Sequence, residues 1–207
     1  MGLHGGREVS CEDTDAGVPD LGGHDEVYDL TVVVPAFNEA DRLPATLPLL
    51  LERVAGDGAR SVEVVVVDDG SRDETGTIAA AAVPPAGVVL RVLVHDRNRG
   101  KGAAVRTGFA ASRGRRVLIS DADLATPIDE LATLERHADD RSVVIGSRGV
   151  DRSFIVQAQP WYRDLMGRIF NLCVQTLAVP GVRDTQCGFK LYPGNLARAL
   201  ADVQRID

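Results

Sequence analysis

Two carboxylates, Asp121 and Asp123, flank one alanine in the stretch SDADLATP at residues 120–127, directly after the apolar run VLI. In extended backbone, residues i and i+2 point the same way and lie roughly 6–7 Å apart along the chain. Both side chains can therefore converge on one hard divalent cation. Mg2+ or Mn2+ suits such oxygen ligands, keeps several waters and is commonly shared with substrate phosphates. The same pair also reads as solvated residues at the start of a helix, and spacing alone leaves both readings open.

Other polar clusters follow apolar runs in the same way: PAFNE at 35–39, DDGS at 68–71, DRNRGKG at 96–102 and GSR at 146–148. Asp69 can accept a hydrogen bond from a base or a ribose; it can equally be a turn residue. The glycines of NRGKG allow close backbone approach, and Lys101 adds a positive charge. The run is not a Walker loop, because GxxxxGK[ST] is missing, and a basic turn is the simpler reading. Arg148, Arg163 and Arg168 are candidate phosphate ligands, since guanidinium forks match phosphate oxygens. Arg163 and Arg168 are five apart and do not share one helix face.

The elements that must position these residues follow from hydrophobic period. Short apolar and β-branched runs at 30–35, 61–69, 88–95, 115–123 and 141–148 read as strands, the first of them fit for burial on both faces and the second also buried. Between them lie helical stretches at 42–55, with Pro44 and Pro48 near its start or kinking it, and at 71–82, where Ser71 and Glu74 have capping-box spacing. Two more follow at 100–112 and 128–138, the latter with Thr126, Pro127 and Asp129 as its start signal. Residues 161–178 form the longest amphipathic stretch. Strand and helix alternating in this way predict an α/β fold, an open and mostly parallel sheet of Rossmann-like type with helices on both faces. Such sheets bind ligands beyond the carboxyl ends of their strands. All five polar clusters fall there, so one cleft is the economical reading.

Composition sets the outer limits. The chain has 207 residues, 44% of them hydrophobic, enough for one domain with a real core. Residues 1–29, rich in Gly, Asp and Glu, read as a flexible tail and 30–207 as the domain. A net charge of -7 argues against a nucleic-acid binder held by bulk charge. The three cysteines are far apart and form no CxxC pair, which suits reduced thiols in a cytosolic setting; Cys173 and Cys187 read as small core residues. No apolar run reaches the ~18 residues of a spanning helix, and no basic-then-apolar signal pattern opens the chain. A dinucleotide fold is disfavoured, because no GxGxxG follows the first strand.

In order along the chain stand VVVPAFNEADRL, VVVVDDGSRDET, NRGKGAAVRTGF, SDADLATP, GSR and VRDTQCGFKLY. Together they resemble the family-2 glycosyltransferases of the GT-A fold. Within that family they are most similar to the polyprenyl-phosphate sugar synthases, and especially to the subgroup that glucosylates dolichyl phosphate. The similarity runs from residue 30 to about residue 192. The resemblance implies that Pro35, Phe37, Glu39, Asp69, Lys101 and Ala122 line the nucleotide-sugar pocket, with Asp69 on the base. It implies that Asp121 and Asp123 hold Mg2+ or Mn2+ over the donor diphosphate. Arg148 would meet a donor or acceptor phosphate, Arg163 the lipid phosphate, and Asp184, Gln186 and Lys190 would border sugar and acceptor. Mannose synthases of this kind often carry Gln two residues after the second Asp; here that position is Ala125, which fits the glucosyl type.

The implied reaction moves glucose from UDP-glucose to dolichyl or another polyprenyl phosphate with inversion. A GDP-mannose enzyme, a family-2 transferase with a non-lipid acceptor, and a nucleotide-sugar binder without turnover stay open beside it. The implied setting is the cytoplasmic face of a membrane, reached as a peripheral protein or through a membrane-anchored partner subunit. The 161–178 helix, with Trp161, Tyr162 and Arg163, would face the lipid, or simply pack on the sheet. The family continues with further elements past residue 207, so a shortened acceptor half is expected.

Overall fold

The computed structural model describes residues 8–9, 27–56, 58–146 and 187–205. In chain order these form β1 (Glu8–Val9), β2 (Tyr28–Ala36), α1 (Leu43–Ala55), β3 (Val62–Asp68), α2 (Thr75–Ala81) and β4 (Val88–Val94). Then come α3 (Lys101–Ala111), β5 (Gly114–Ile119), a 3-10 turn (Ile128–Glu130), α4 (Leu131–His137), β6 (Val144–Ile145), β7 (Lys190–Pro193) and α5 (Gly194–Val203).

The strands make one sheet in the order β1-β4-β3-β2-β5-β7-β6. The pairs β1–β4, β4–β3, β3–β2 and β2–β5 are parallel; β7 is antiparallel to both β5 and β6. The mostly parallel α/β sheet expected from sequence is therefore present. The inner strand β3 shows why such runs are largely apolar: every one of its residues is buried. Side chains alternate across a strand. Leu30, Val32 and Val34 of β2 and Val62, Val64 and Val66 of β3 enter one core, where Leu43, Leu47, Leu50, Leu51 and Val54 of α1 meet them. Val33 of β2 faces the other way, onto Phe109 of α3 and Ala197 and Ala201 of α5. Helices on both faces leave the carboxyl ends of β2, β3, β4 and β5 on one edge, and Phe37, Asp69, Lys101, Asp121 and Asp123 sit there.

Several local expectations change. β2 begins at Tyr28, and Glu8–Val9, from the stretch read as a tail, pair with Arg91 and Val92 of β4. α2 begins at Thr75, and its flanking residues make no capping box: the Ser71 hydroxyl instead accepts the Asn38 N–H at 2.9 Å. The Thr126–Asp129 start signal produces a 3-10 turn rather than an α-helical first turn, without a side-chain cap, and Asp129 accepts from Arg53 at 3.1 Å. The fifth strand is short among the described residues and does not join β5 directly, because β7 lies between them.

Candidate active site

The loops at this edge are laced to one another. Asn38, in a left-handed conformation at φ 53°, donates its N–H to Ser71 and accepts the Arg72 N–H on its side-chain oxygen at 2.9 Å. The Glu39 N–H donates to the Thr75 hydroxyl at 2.8 Å and the Ala40 N–H to Asp73 at 3.1 Å. The β3 loop is fixed from below, where Asp68 accepts the Ser71 N–H at 2.9 Å. It also lies flat on the β4 loop. Gly70 has φ 67°, and a Cβ there would sit 2.3 Å from the Arg97 carbonyl carbon, so only glycine fits. Loops tied in this way present a largely pre-formed surface.

Asp69 stands at the junction of these loops and is 2% exposed. Its Oδ1 accepts the His95 ring Nδ1–H at 2.7 Å and the Arg99 N–H at 3.0 Å; its Oδ2 accepts the Gly100 N–H at 2.7 Å. The other ring nitrogen of His95 bonds the Thr107 hydroxyl of α3 at 2.9 Å. Such donors satisfy the oxygens of a buried carboxyl group. The network ties the end of β3 to the start of α3, and so places Lys101.

Lys101 reaches Asp121, Nζ to Oδ1 at 2.5 Å, with the two side chains 59% and 22% exposed. Asp121 follows Ser120, whose N–H still donates to Val33 as if the strand continued. The chain then turns: the Leu124 N–H donates to the Asp121 carbonyl, Leu124 has φ 49°, and Asp123 accepts the Ala125 N–H at 3.0 Å. Gly188 closes the far side of Asp121. A Cβ at that position would meet Asp121 Oδ2 at 2.2 Å and its other carboxylate atoms at 2.6 Å. The CG pair of the RDTQCGFKL motif thus abuts the first aspartate.

One cavity of about 350 Å3 gathers these groups. β2 and its loop contribute Pro35, Ala36, Phe37 and Glu39; β3 contributes Asp69; the β4 loop and α3 contribute Asn98, Lys101 and Ala104; and the β5 loop contributes Asp121, Ala122 and Asp123. Every residue that the sequence assigned to the nucleotide-sugar pocket lines this cavity. Phe37 is 40% exposed there, and Glu39 is held by Arg42 at 2.8 Å. Lys190, at the start of β7 opposite Ile119, is not among the lining residues. Arg148, Arg163, Asp184 and Gln186 lie outside the described residues, as do Arg168, Cys173 and the 161–178 stretch. Cys187 is buried, as expected of a core residue. Sequence reading missed His95, Asn98 and Gly188. His95 looked like the last residue of a strand, and only its place at a carboxyl end hinted at more.

Comparison with known proteins agrees with this geometry. The Glycosyl transferase family 2 domain matches residues 31–190. The dolichyl-phosphate beta-glucosyltransferase of Homo sapiens is 39% identical over 175 residues, 79% of this chain and 54% of the relative. The protein of the same name from Dictyostelium discoideum is 37% identical over 197 residues, covering 88% and 59%. The chain thus spans somewhat more than half the length of these curated relatives. Among solved structures, a mannosyltransferase from Pyrobaculum calidifontis in complex with GDP-Man and Mn2+ superposes with TM-score 0.56 at 25% identity, covering 88% of this chain and 51% of that one. Glucosyl-3-phosphoglycerate synthase from Mycobacterium tuberculosis with UDP superposes with TM-score 0.57 at 19% identity, covering 92% and 66%, a likeness of fold. With its sheet-edge cleft, its paired aspartates and a match over most of its length, the chain belongs to glycosyl transferase family 2 and has the α/β GT-A fold.

Proposed function

We propose that this chain carries the donor site and catalytic core of a hexosyltransferase that moves glucose from UDP-glucose to dolichyl or another polyprenyl phosphate. The observation that carries this reading is the convergence of Phe37, Asp69, Lys101, Asp121 and Asp123 on one cavity. The names of the relatives at 37–39% identity support a glucosyl group as cargo and dolichyl phosphate as acceptor.

The residues present fit a hard divalent cation. Asp121 and Asp123 line the same cavity and offer only carboxylate oxygens, the donor type that Mg2+ or Mn2+ takes. Water and donor phosphate oxygens suit the remaining positions of such an ion. Bound there, the cation would supply Lewis-acid neutralisation of the leaving diphosphate.

The chain's own residues do the rest. Phe37 offers an aromatic face and Asp69 an anionic acceptor to the base. Lys101 brings positive charge beside the diphosphate. The acceptor's second phosphate pKa is about 6, so at neutral pH its oxygen is already anionic and needs no strong general base. That oxygen forms the new bond to the anomeric carbon as the bond from that carbon to the UDP oxygen breaks, in line and with inversion. Placement and charge supply the rate. Arg148 and Arg163 are assigned to the phosphates, and Asp184, Gln186 and Lys190 to sugar and acceptor. The catalytic domain is assigned to 30–207, after a tail at 1–29.

No helix among the described residues is long and apolar enough to cross a membrane. The acceptor is nevertheless a membrane lipid, so we place the site at the cytoplasmic membrane surface, held peripherally or by a membrane-anchored partner subunit. The test is incubation with labelled UDP-glucose or GDP-mannose, polyprenyl phosphate and Mn2+. Label entering the lipid phase from UDP-glucose supports the reading. Label entering from GDP-mannose alone moves the assignment to a mannose synthase, and no transfer from either donor rejects the lipid-phosphate acceptor for this chain.

A further inference from the structure

We infer that His95 is a specificity-determining positioning residue: by consuming one acceptor position of Asp69, it makes this cleft select uracil over guanine. The inference rests on the donor reading above and deepens it.

An ionised carboxylate offers about four acceptor positions, two on each oxygen. Among the described residues, Asp69 Oδ1 is filled by His95 Nδ1–H at 2.7 Å and the Arg99 N–H at 3.0 Å. Oδ2 takes the Gly100 N–H at 2.7 Å and keeps one position. Asp69 lines the cavity while only 2% exposed, so a base meets a nearly spent carboxylate with a single acceptor left. Uracil presents one donor on its pairing edge, N3–H, between two carbonyl oxygens. It matches that single position. Guanine presents two adjacent donors, N1–H and the N2 amino group, which need both carboxylate oxygens. One of its donors would then be desolvated without a partner, a loss that discriminates strongly in a closed site.

His95 is the removable member of this set. The Arg99 and Gly100 donors are main chain and belong to the loop that opens α3. His95 is a side chain, 8% exposed, held from behind by the Thr107 hydroxyl at 2.9 Å. Because the carboxylate can only accept, Nδ1 carries the proton toward Asp69, and the ring cannot withdraw without breaking its bond to Thr107. The two ring nitrogens can be separated by substitution. Asn places its amide nitrogen near the Nδ1 position and keeps the bond to Asp69. Gln reaches the Nε2 position, keeps the bond to Thr107 and releases Oδ1.

The experiment is calorimetric titration of the full chain with UDP and with GDP, at fixed Mn2+, for wild type, His95→Gln and His95→Asn. Wild type should favour UDP by about tenfold or more, as hydrogen-bonding sites discriminate against a mismatched donor set. His95→Gln should shrink the UDP:GDP ratio by about fivefold, through gained GDP affinity as well as lost UDP affinity, and His95→Asn should stay within about twofold of the wild-type ratio. The ratio is the readout because a purely structural role would weaken both nucleotides together. An unchanged ratio in His95→Gln overturns the inference, as does equal loss of ratio in both variants. Wild type binding UDP and GDP alike overturns it while leaving the cleft a nucleotide site. Wild type binding neither overturns the donor reading itself.

Discussion

Gly188→Ala is the sharpest structural perturbation available at the site, because it adds one carbon and no charge. The added Cβ would lie 2.2 Å from Asp121 Oδ2 and 2.6 Å from both Oδ1 and Cγ. Contacts of that kind essentially never fall under 3.0 Å, so the carboxylate must withdraw by roughly 1 Å or the β7 entry must shift. Misplacement of about 1 Å at a reacting centre can cost ~100-fold in rate, equivalent to about 2.7 kcal/mol. Asp121 also carries the 2.5 Å pair with Lys101, so one substitution disturbs both charges. The expected result is a loss of UDP affinity in the presence of Mn2+ of tenfold or more (about 1.4 kcal/mol). Transfer, where measurable, should fall ~100-fold. Global stability should fall less than for a core cavity, because residue 188 is part-exposed. Calorimetric titration with UDP and Mn2+ and a thermal melt of the same sample separate the two. Affinity within twofold of wild type would refute the claim that Gly188 sets the position of Asp121.

Further outcomes follow from the same structure. Glu63 is fully buried and accepts from Arg91 at 2.9 Å, Thr31 at 2.8 Å and the Arg113 N–H at 3.1 Å, so Glu63→Ala should cost about 3–5 kcal/mol by stranding a part-buried guanidinium, read as a fall of roughly 6–20 °C in Tm. The Thr75 hydroxyl, donating to Asp73, is the main cause that lowers that carboxyl's pKa, with help from the Ala40 N–H. The stabilisation is therefore present above the unfolded value of about 3.9 and is lost as pH falls through the folded one, so melts across acid pH should show a shallower decline for Asp73→Asn than for wild type. If Arg163 meets the lipid phosphate, Arg163→Ala should raise the KM for polyprenyl phosphate and leave UDP–Mn2+ affinity nearly intact; joint loss of donor binding and stability would make it a structural residue.

The sheet was legible because its inner strands β2 and β3 are buried on both faces. A run such as VEVVVVD admits little else, and polar clusters at successive carboxyl ends pointed to one edge. β7 was not legible: KLYP is four residues long, contains proline, and is a strand only because β5 and β6 flank it. The capping box at Ser71 failed for a related reason. Its spacing is local, but the hydroxyl is claimed by Asn38, thirty-three residues earlier in sequence. Eight of the residues that line the cavity were readable from the motifs and the family they resemble, whereas Asn98, His95 and Gly188 were not. The parts of His95 and Gly188 depend on which side chain lies across from them, Asp69 in one case and Asp121 in the other, and no spacing rule encodes that.

The claim beneath all of this is that the sheet-edge cavity binds a nucleoside diphosphate through a cation held by Asp121 and Asp123. Calorimetric titration of UDP into wild type and Asp123→Ala, with and without Mn2+, tests it most directly. UDP binding to wild type should depend on Mn2+, and Asp123→Ala should lose that metal-dependent part. Equal UDP affinity with and without Mn2+, or an Asp123→Ala titration that matches wild type, would contradict it.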